Sequence, residues 1–326
     1  MSKNTKKPAA AAPAYKGKIY DFCSKKKMIL IIAVCVIIAL IAGIAVRGVN
    51  LAIEFEGGTM LTYSYEGDLD TNAVQSEVSK KVTTPVTVRR GESLDSSGYQ
   101  ITVSFTTEDG FNADAQHELT EALQTAFPDN NLVLFDSNDV SPSSGREFLL
   151  KCLVAVVFAA ILIIFYIAVR FAKIGGWSAG VCSVFALCHD ILVAFAASVI
   201  FGFEFNSNIV AVILTILGYS INNTIVIYDR IRENETLMPK ASLNELINAG
   251  CSQSLTRSIR TSITTIGTML VVTIVVLVSG YDSLLSFSVP LVFGLLSGTY
   301  SSLFVAPVTW SWWKGGKKAE KKKEEK

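Results

Sequence analysis

The sequence predicts an α-helical polytopic membrane protein, six transmembrane helices with one α+β ferredoxin-like external domain between helices 1 and 2. Three observations predict it. Half of the 326 residues are hydrophobic and the mean hydropathy is +0.43, too apolar for an ordinary soluble chain. Apolar runs long enough to cross a hydrocarbon core of ~30 Å recur six times. One polar stretch, residues 48–146, interrupts them with alternating, strand-like sequence.

The elements follow in order. Residues 1–27 form a Lys-rich cytoplasmic tail, and the first span occupies 28–47, with its apolar run at Met28–Val46. That run is too long for a secretory signal and no A-x-A site follows it, so it reads as an uncleaved anchor. Within 48–146, TMLTYSY (59–65), VTVRR (86–90), YQITVSF (99–105) and NLVLF (131–135) alternate as strands do. TNAVQSEVSKKV (71–82) and NADAQHELTEALQTAF (112–127) carry helical spacing. Strand, helix, strand, strand, helix, strand is the ferredoxin-like order. The 16 Asp and Glu of this segment outnumber Lys80, Lys81, Arg89, Arg90 and Arg146, which predicts a soluble domain with no call on nucleic acid.

The remaining spans fall within 147–310: Phe148–Val169, Trp177–Phe201, Phe205–Tyr228, a fifth and Leu284–Trp310. The fifth has its apolar part at Ile263–Val278 and extends backward through TRSIRTSITT (256–265). Before it, Pro239 breaks the chain, and Ser242 with Glu245 predicts a capping box for a short helix near 242–251, expected on the cytoplasmic membrane surface. Residues 311–326 form a second cytoplasmic tail. MSKNTKKPAAAAPA (1–14) and KGGKKAEKKKEEK (314–326) read as disordered and solvated. Lys and Arg cluster in the N-terminal tail, at Arg170 and Lys173, and from Arg230 to Arg260, while the opposite loops carry only Glu204 and Asp282. This bias places both termini in the cytoplasm.

The chain has no G-x-x-x-x-G-K, H-E-x-x-H or G-x-S-x-G motif, and its histidines are His117 and His189 alone. None of its six cysteines lies in the external segment, and no C-x-x-C spacing occurs. We therefore expect no enzyme, no catalytic or metal-ligating residues and no cofactor. The chemistry lies in polar groups inside spans, which are costly there. Asp190 is near the middle of span three; it is either functional or a carboxylic acid held for structure. Asn222 and Asn223 in span four are either functional or interhelical glue worth about 1 kcal/mol. Counting 1.5 Å per residue from the outer face puts Asn223 ~27 Å deep, Thr261 ~28 Å and Arg257 ~34 Å, with Asp190 higher at ~18 Å. In span six, Gly294, Gly298 and Ser301 or Ser302 share a face that favours close packing, and Pro290 and Pro307 are expected to bend its ends.

Six stretches, IEFEGGT (53–59), VSPSSGREF (140–148), CHDILVAF (188–195), GYSINNTIVIYDRIREN (218–234), QSLTRSIRTSITT (253–265) and GTYSSLFVAP (298–307), occur in an order that resembles the SecD/SecF family. The resemblance covers roughly residues 45–310 and extends to the resistance-nodulation-division superfamily. It implies a six-span half that pairs with a SecD-type subunit beside the SecY/SecE/SecG channel in the cell membrane. Ion flow would drive translocation of unfolded preproteins. It also implies structural roles for Gly57, Gly58, Asp229, Arg230, Gly294 and Gly298, and an ion-relay role for Asp190, Asn222, Asn223, Arg257 and Thr261. The family's pattern at span four is S-x-N-D-T, whereas this chain has SINNT, so Asn223 stands where the Asp is usual. An amide cannot titrate. The alternative is half of an exporter of small molecules or lipids from the same superfamily.

Overall fold

The computed structural model describes residues 17–92, 99–107 and 111–314. Apart from Lys314, the two tails expected to be solvated lie outside these residues. Six helices are long and apolar enough to cross a membrane. They are α1 (Lys26–Arg47), α5 (Pro142–Arg170), α6 (Gly176–Ile200), α7 (Ser207–Leu237), α8 (Leu243–Ser279) and the helix that opens as α9 (Asp282–Tyr300). The last continues through a π-helical turn, Ser301–Val305, to residue 314. Three short or external helices complete the set: α2 (Ile53–Glu56), α3 (Thr71–Val78) and α4 (Ala113–Ala126).

Composition decides which helices are central. Helix α6 carries Gly, Ala, Ser and Cys at its buried positions, and packs against α1, α5, α7 and α9. By contrast α1 and α5 are apolar all round and mostly exposed, as suits lipid-facing helices. Pro290 lies inside α9 without ending it. Near Pro307 the ladder changes to i→i+5, with Ala306 N–H donating to the Ser301 carbonyl. Proline has no N–H to give its own preceding turn, and such π-turns recur at functional sites.

The expected short helix near 242–251 is not a separate surface element. It is the opening of α8, which runs unbroken from the Ser242–Glu245 capping box to Gly280, a left-handed stop at φ +76°. Leu246, Ile247 and Cys251 bury their side chains with Ile227, Tyr228 and Ile231 of α7. Gly250 allows the approach, since a Cβ there would lie 2.5 Å from Ile231. The apolar face of this segment therefore meets a helix, not the membrane surface expected for it.

Four antiparallel strands form the external sheet: β1 (Gly58–Tyr65), β2 (Val86–Glu92), β3 (Tyr99–Phe105) and β4 (Val133–Val140), in the order β2-β3-β1-β4. With α3 and α4 this is the ferredoxin-like arrangement. Leu61, Tyr63 and Tyr65 alternate inward on β1, beside Ile101, Val103 and Phe105 of β3, over Val74 and Val78 of α3 and Leu119 and Leu123 of α4. The fourth strand starts two residues later than NLVLF and runs on through polar DSNDV, because β1 pairs with it as far as Gly58–Val140. Its outer edge is exposed, and polarity there opposes edge-to-edge association.

The junction between sheet and membrane helices is tightly built. Gly57 (φ +89°) and Gly58 (φ +149°) turn the chain from α2 into β1. A Cβ on Gly57 would lie 2.6 Å from the Pro142 nitrogen, and one on Gly58 would strike the Phe105 carbonyl. A Cβ on Gly145 of α5 would likewise lie 2.7 Å from the Phe55 carbonyl oxygen. The same region is tied to the loop before α7. Ala52 N–H donates to Phe205 O (3.0 Å), Phe205 N–H to Asn50 O (2.8 Å), and Ser207 N–H to the Glu54 carboxylate (2.7 Å). Arg89 of β2 pairs with Glu204 at 2.9 Å, largely shielded from solvent.

Gly58→Val is expected to destabilise this junction by roughly 1–3 kcal/mol, the usual range for forced backbone strain. Limited proteolysis of the detergent-solubilised chain should then cut the 48–146 segment sooner. An unchanged cleavage time course would show that the junction tolerates a side chain.

Candidate functional site

Asp190 is fully buried where α6, α7 and α9 meet. A carboxylate has room for about four hydrogen bonds and none is available from hydrocarbon, so neighbouring helices must supply them. Ser220 of α7 donates to Oδ2 at 2.7 Å, Ser301 of the π-turn to the same oxygen at 2.6 Å, and Ser297 of α9 to Oδ1 at 2.6 Å. Ser297 and Ser301 stand one helical turn apart on one face. Gly298 lies between them, where a Cβ would be 3.2 Å from Ser220 Cβ and 3.6 Å from Asp190. Gly294, a turn earlier, leaves space that Ile216 of α7 fills.

His189 completes the cluster. Its Nδ1 is 3.2 Å from Ser297 Oγ and 3.4 Å from Asp190 Oδ1. Its Nε2 is buried and has no hydrogen-bond partner among the described residues. Among the other buried polar atoms without a partner in the described residues are Asn223 Nδ2 on α7 and Ser258 Oγ on α8. Tyr219 donates to Ser262 of α8 at 2.9 Å, and α7 and α8 run in opposite directions. One turn onward on each helix brings Asn223 and Ser258 to the same level. The two orphaned groups therefore share a depth, about one turn from the Asp190 cluster.

The structure corrects the arrangement expected for Asn223, Thr261 and Arg257. Depth alone had placed Thr261 level with Asn223. On α8 the inward face is Ser254, Ser258, Ser262 and Ile266, whereas Arg257 and Thr261 are exposed. One residue along a helix turns the side chain by about 100°, so Arg257 and Thr261, each next to an inward serine, face away from α7. Asn222 is likewise exposed on α7 while Asn223 is buried. Asp190 and Asn223 thus lie inside the bundle, and Asn222, Arg257 and Thr261 form an outward polar face.

Asp229 and Arg230 stand at the far end of α7. Asp229 bridges Arg170 (2.9 Å) and Arg232 (2.7 Å), both stacked near the Phe171 ring. Arg230 Nε donates to Gln253 at 2.6 Å, as does Asn234 at 2.9 Å, tying α7 to α8. Sequence reasoning missed Ser220 and Ser297 as partners of Asp190. Serines spaced four apart on an apolar helix were the available signal.

Removing Ser220, Ser297 and Ser301 together by Ala substitution strips Asp190 of its hydroxyl donors. The expected loss is roughly 1–3 kcal/mol per hydrogen bond, read as a lower Tm of the solubilised chain. A Tm equal to the native value would show that the hydroxyls do not hold the carboxylate.

Comparison with known proteins agrees with this architecture. Residues 119–316 match the model of protein export membrane protein SecD/SecF, C-terminal, and residues 42–68 match the SecD/SecF GG motif. The chain is 33% identical over 309 residues to protein translocase subunit SecF of Petrotoga mobilis, covering 92% of this chain and 98% of that one. It is 31% identical to its counterpart in Pseudomonas aeruginosa, over 82% of each chain. Two crystal structures of SecDF, one from Thermus thermophilus and one in a super-membrane-facing form, superpose with TM-scores of 0.73 and 0.67 at 26% identity. These matches cover 91% and 94% of this chain but span only 39% and 40% of the SecDF chains. The chain belongs to the SecD/SecF family of protein-export membrane proteins.

Proposed function

We propose that the chain is the SecF-type half of a Sec-associated protein-translocation complex. It pairs within the cell membrane with a SecD-type subunit, and ion movement at their boundary is coupled to work by the external domain on an unfolded preprotein leaving the SecY/SecE/SecG channel. Both termini are cytoplasmic, a placement supported by the Lys and Arg bias of the loops.

One observation carries this reading. Asn222, Arg257 and Thr261 are exposed on helices long enough to span a membrane. Hydrocarbon offers such polar side chains no hydrogen-bond partner, and a second membrane half facing them supplies one. A relay at this boundary needs an ionisable group. Asn223 is not one, so the SecD-type partner supplies the carboxylate, with Asp190 a second candidate behind the α7 surface.

Two measurements test the proposal. A photoreactive phenylalanine analogue at position 261 is expected to cross-link to the SecD-type subunit in membranes, and the same probe at buried position 258 is not. Cross-linking from neither position would remove the pairing. Pulse-chase export of a signal-peptide reporter in depleted cells is the second test. Native chain should restore precursor clearance, and Asp190→Asn should slow it measurably. Export unaffected by depletion would overturn the translocation role and leave small-solute export as the next reading.

A further inference from the structure

A groove of about 790 Å³ opens at the end of the bundle where α5 turns into α6. Phe165 and Val169 of α5, Trp177 and Val181 of α6, and Trp313 of the last helix form its walls. Four of these, Phe165, Val169, Trp177 and Trp313, are well exposed on the outside of the bundle. The groove therefore opens sideways, toward the surface that apolar α5 presents to lipid. Its volume falls in the range of roughly 300–1,000 Å³ typical of ligand sites.

Positive charge stands on and against the turn that lines one end of the groove. Lys173 belongs to the turn between Phe171 and Gly175, and Ala172 and Gly175 of that turn line the groove. Lys314 lies against Gly175 so closely that a Cβ there would strike its Nζ. That ammonium donates to the Ile174 carbonyl at 2.6 Å and sits 5.5 Å from the Trp310 ring. Its neighbour Arg170 is already paired with Asp229, whereas neither lysine is in an ion pair among the described residues. Glu235 acts on Lys314 only through its field. Two amphipathic indoles, an apolar recess and two unpaired ammonium groups at one helix-end level match the zones of a phospholipid: tail, interface and phosphate.

We propose that this groove binds one acyl chain of an anionic phospholipid, with the lipid phosphate held between Lys173 and Lys314. The site lies away from the Asp190 cluster and is independent of the export role. It places a lipid on α5 and α6, beside the Asp229–Arg170–Arg232 bridge that joins α5 to α7.

The test uses the full chain in phosphatidylcholine nanodiscs containing a small fraction of dibrominated lipid. The signal is the quenching of tryptophan fluorescence that disappears in the Trp177→Phe, Trp313→Phe variant. Dibrominated phosphatidylglycerol is expected to quench this component more than dibrominated phosphatidylcholine at the same fraction. The preference should fall roughly fivefold with Lys173→Gln and further with Lys314→Gln added. Circular dichroism and Tm report whether each variant stays folded. Lys173 is exposed, so Lys173→Gln remains informative if loss of the Lys314 bond to Ile174 disturbs the turn. Equal quenching by the two lipids would overturn the anionic site. A preference untouched by Lys173→Gln in folded protein would overturn the lysine assignment.

Discussion

The bundle is organised around one carboxylate. Asp190 has no access to solvent and lies on a helix whose neighbours are mostly apolar, so its hydrogen bonds have to come from other helices. Meeting that need fixes how α6, α7 and α9 approach one another. Ser220 must face α6, Ser297 and Ser301 must share a face, and glycines must stand at 294 and 298 so that α9 comes close enough. The π-turn at 301–305 lies in this cluster. It brings Ser301 and Ser302 inward at full burial just before Pro307 removes a backbone donor. A buried polar network is stabilising only when nearly complete, which makes the unmet Nε2 of His189 and Nδ2 of Asn223 notable.

The same demand for satisfied backbone groups shapes the junction with the external domain. The chain crosses there from bundle to sheet, and irregular backbone at that level needs partners. Glu54 meets the first turn of α7, the 50–52 segment bonds both sides of Phe205, and Phe55 stacks between Phe148 and Phe205. As a result the α6–α7 loop, α2 and the start of α5 form one block. The helix that carries Ser220 and Asn223 begins in that block, and so does β1. A shift of α7 along its axis would therefore be felt in the sheet through backbone bonds and the Arg89–Glu204 pair. This is a physical route between membrane polar groups and the external domain, built from short contacts.

The outward surfaces are of two kinds. Over most of α1 and α5 the side chains are Ile, Val, Leu and Phe, a surface suited to lipid. On α7 and α8, Asn222, Arg257 and Thr261 are exposed among such residues. One surface requires only acyl chains, whereas the other carries polar groups that hydrocarbon cannot satisfy. Basic and aromatic residues gather at the helix ends, where a long side chain keeps its charge in the interface while its stem lies on apolar surface.

Much of this was determined by sequence alone, for local reasons. Six spans follow from run length, the order of strands and helices from periods of two and three to four, and the start of α8 from Ser242 with Glu245. Asp190 was visible as an expensive residue in a span, and Asn223 as an amide at a site where the family pattern has a carboxylate. Tertiary structure decided what depth and composition cannot carry, the azimuth of each helix. It turned Ser258 and Ser262 inward and Arg257 and Thr261 outward, joined the 242–251 helix to the fifth span, and named Ser220 and Ser297 as partners of Asp190. The physical reason is that a helix rotates by about 100° per residue. Which face looks inward is therefore settled by the packing of all its neighbours, and no single stretch of sequence contains that information.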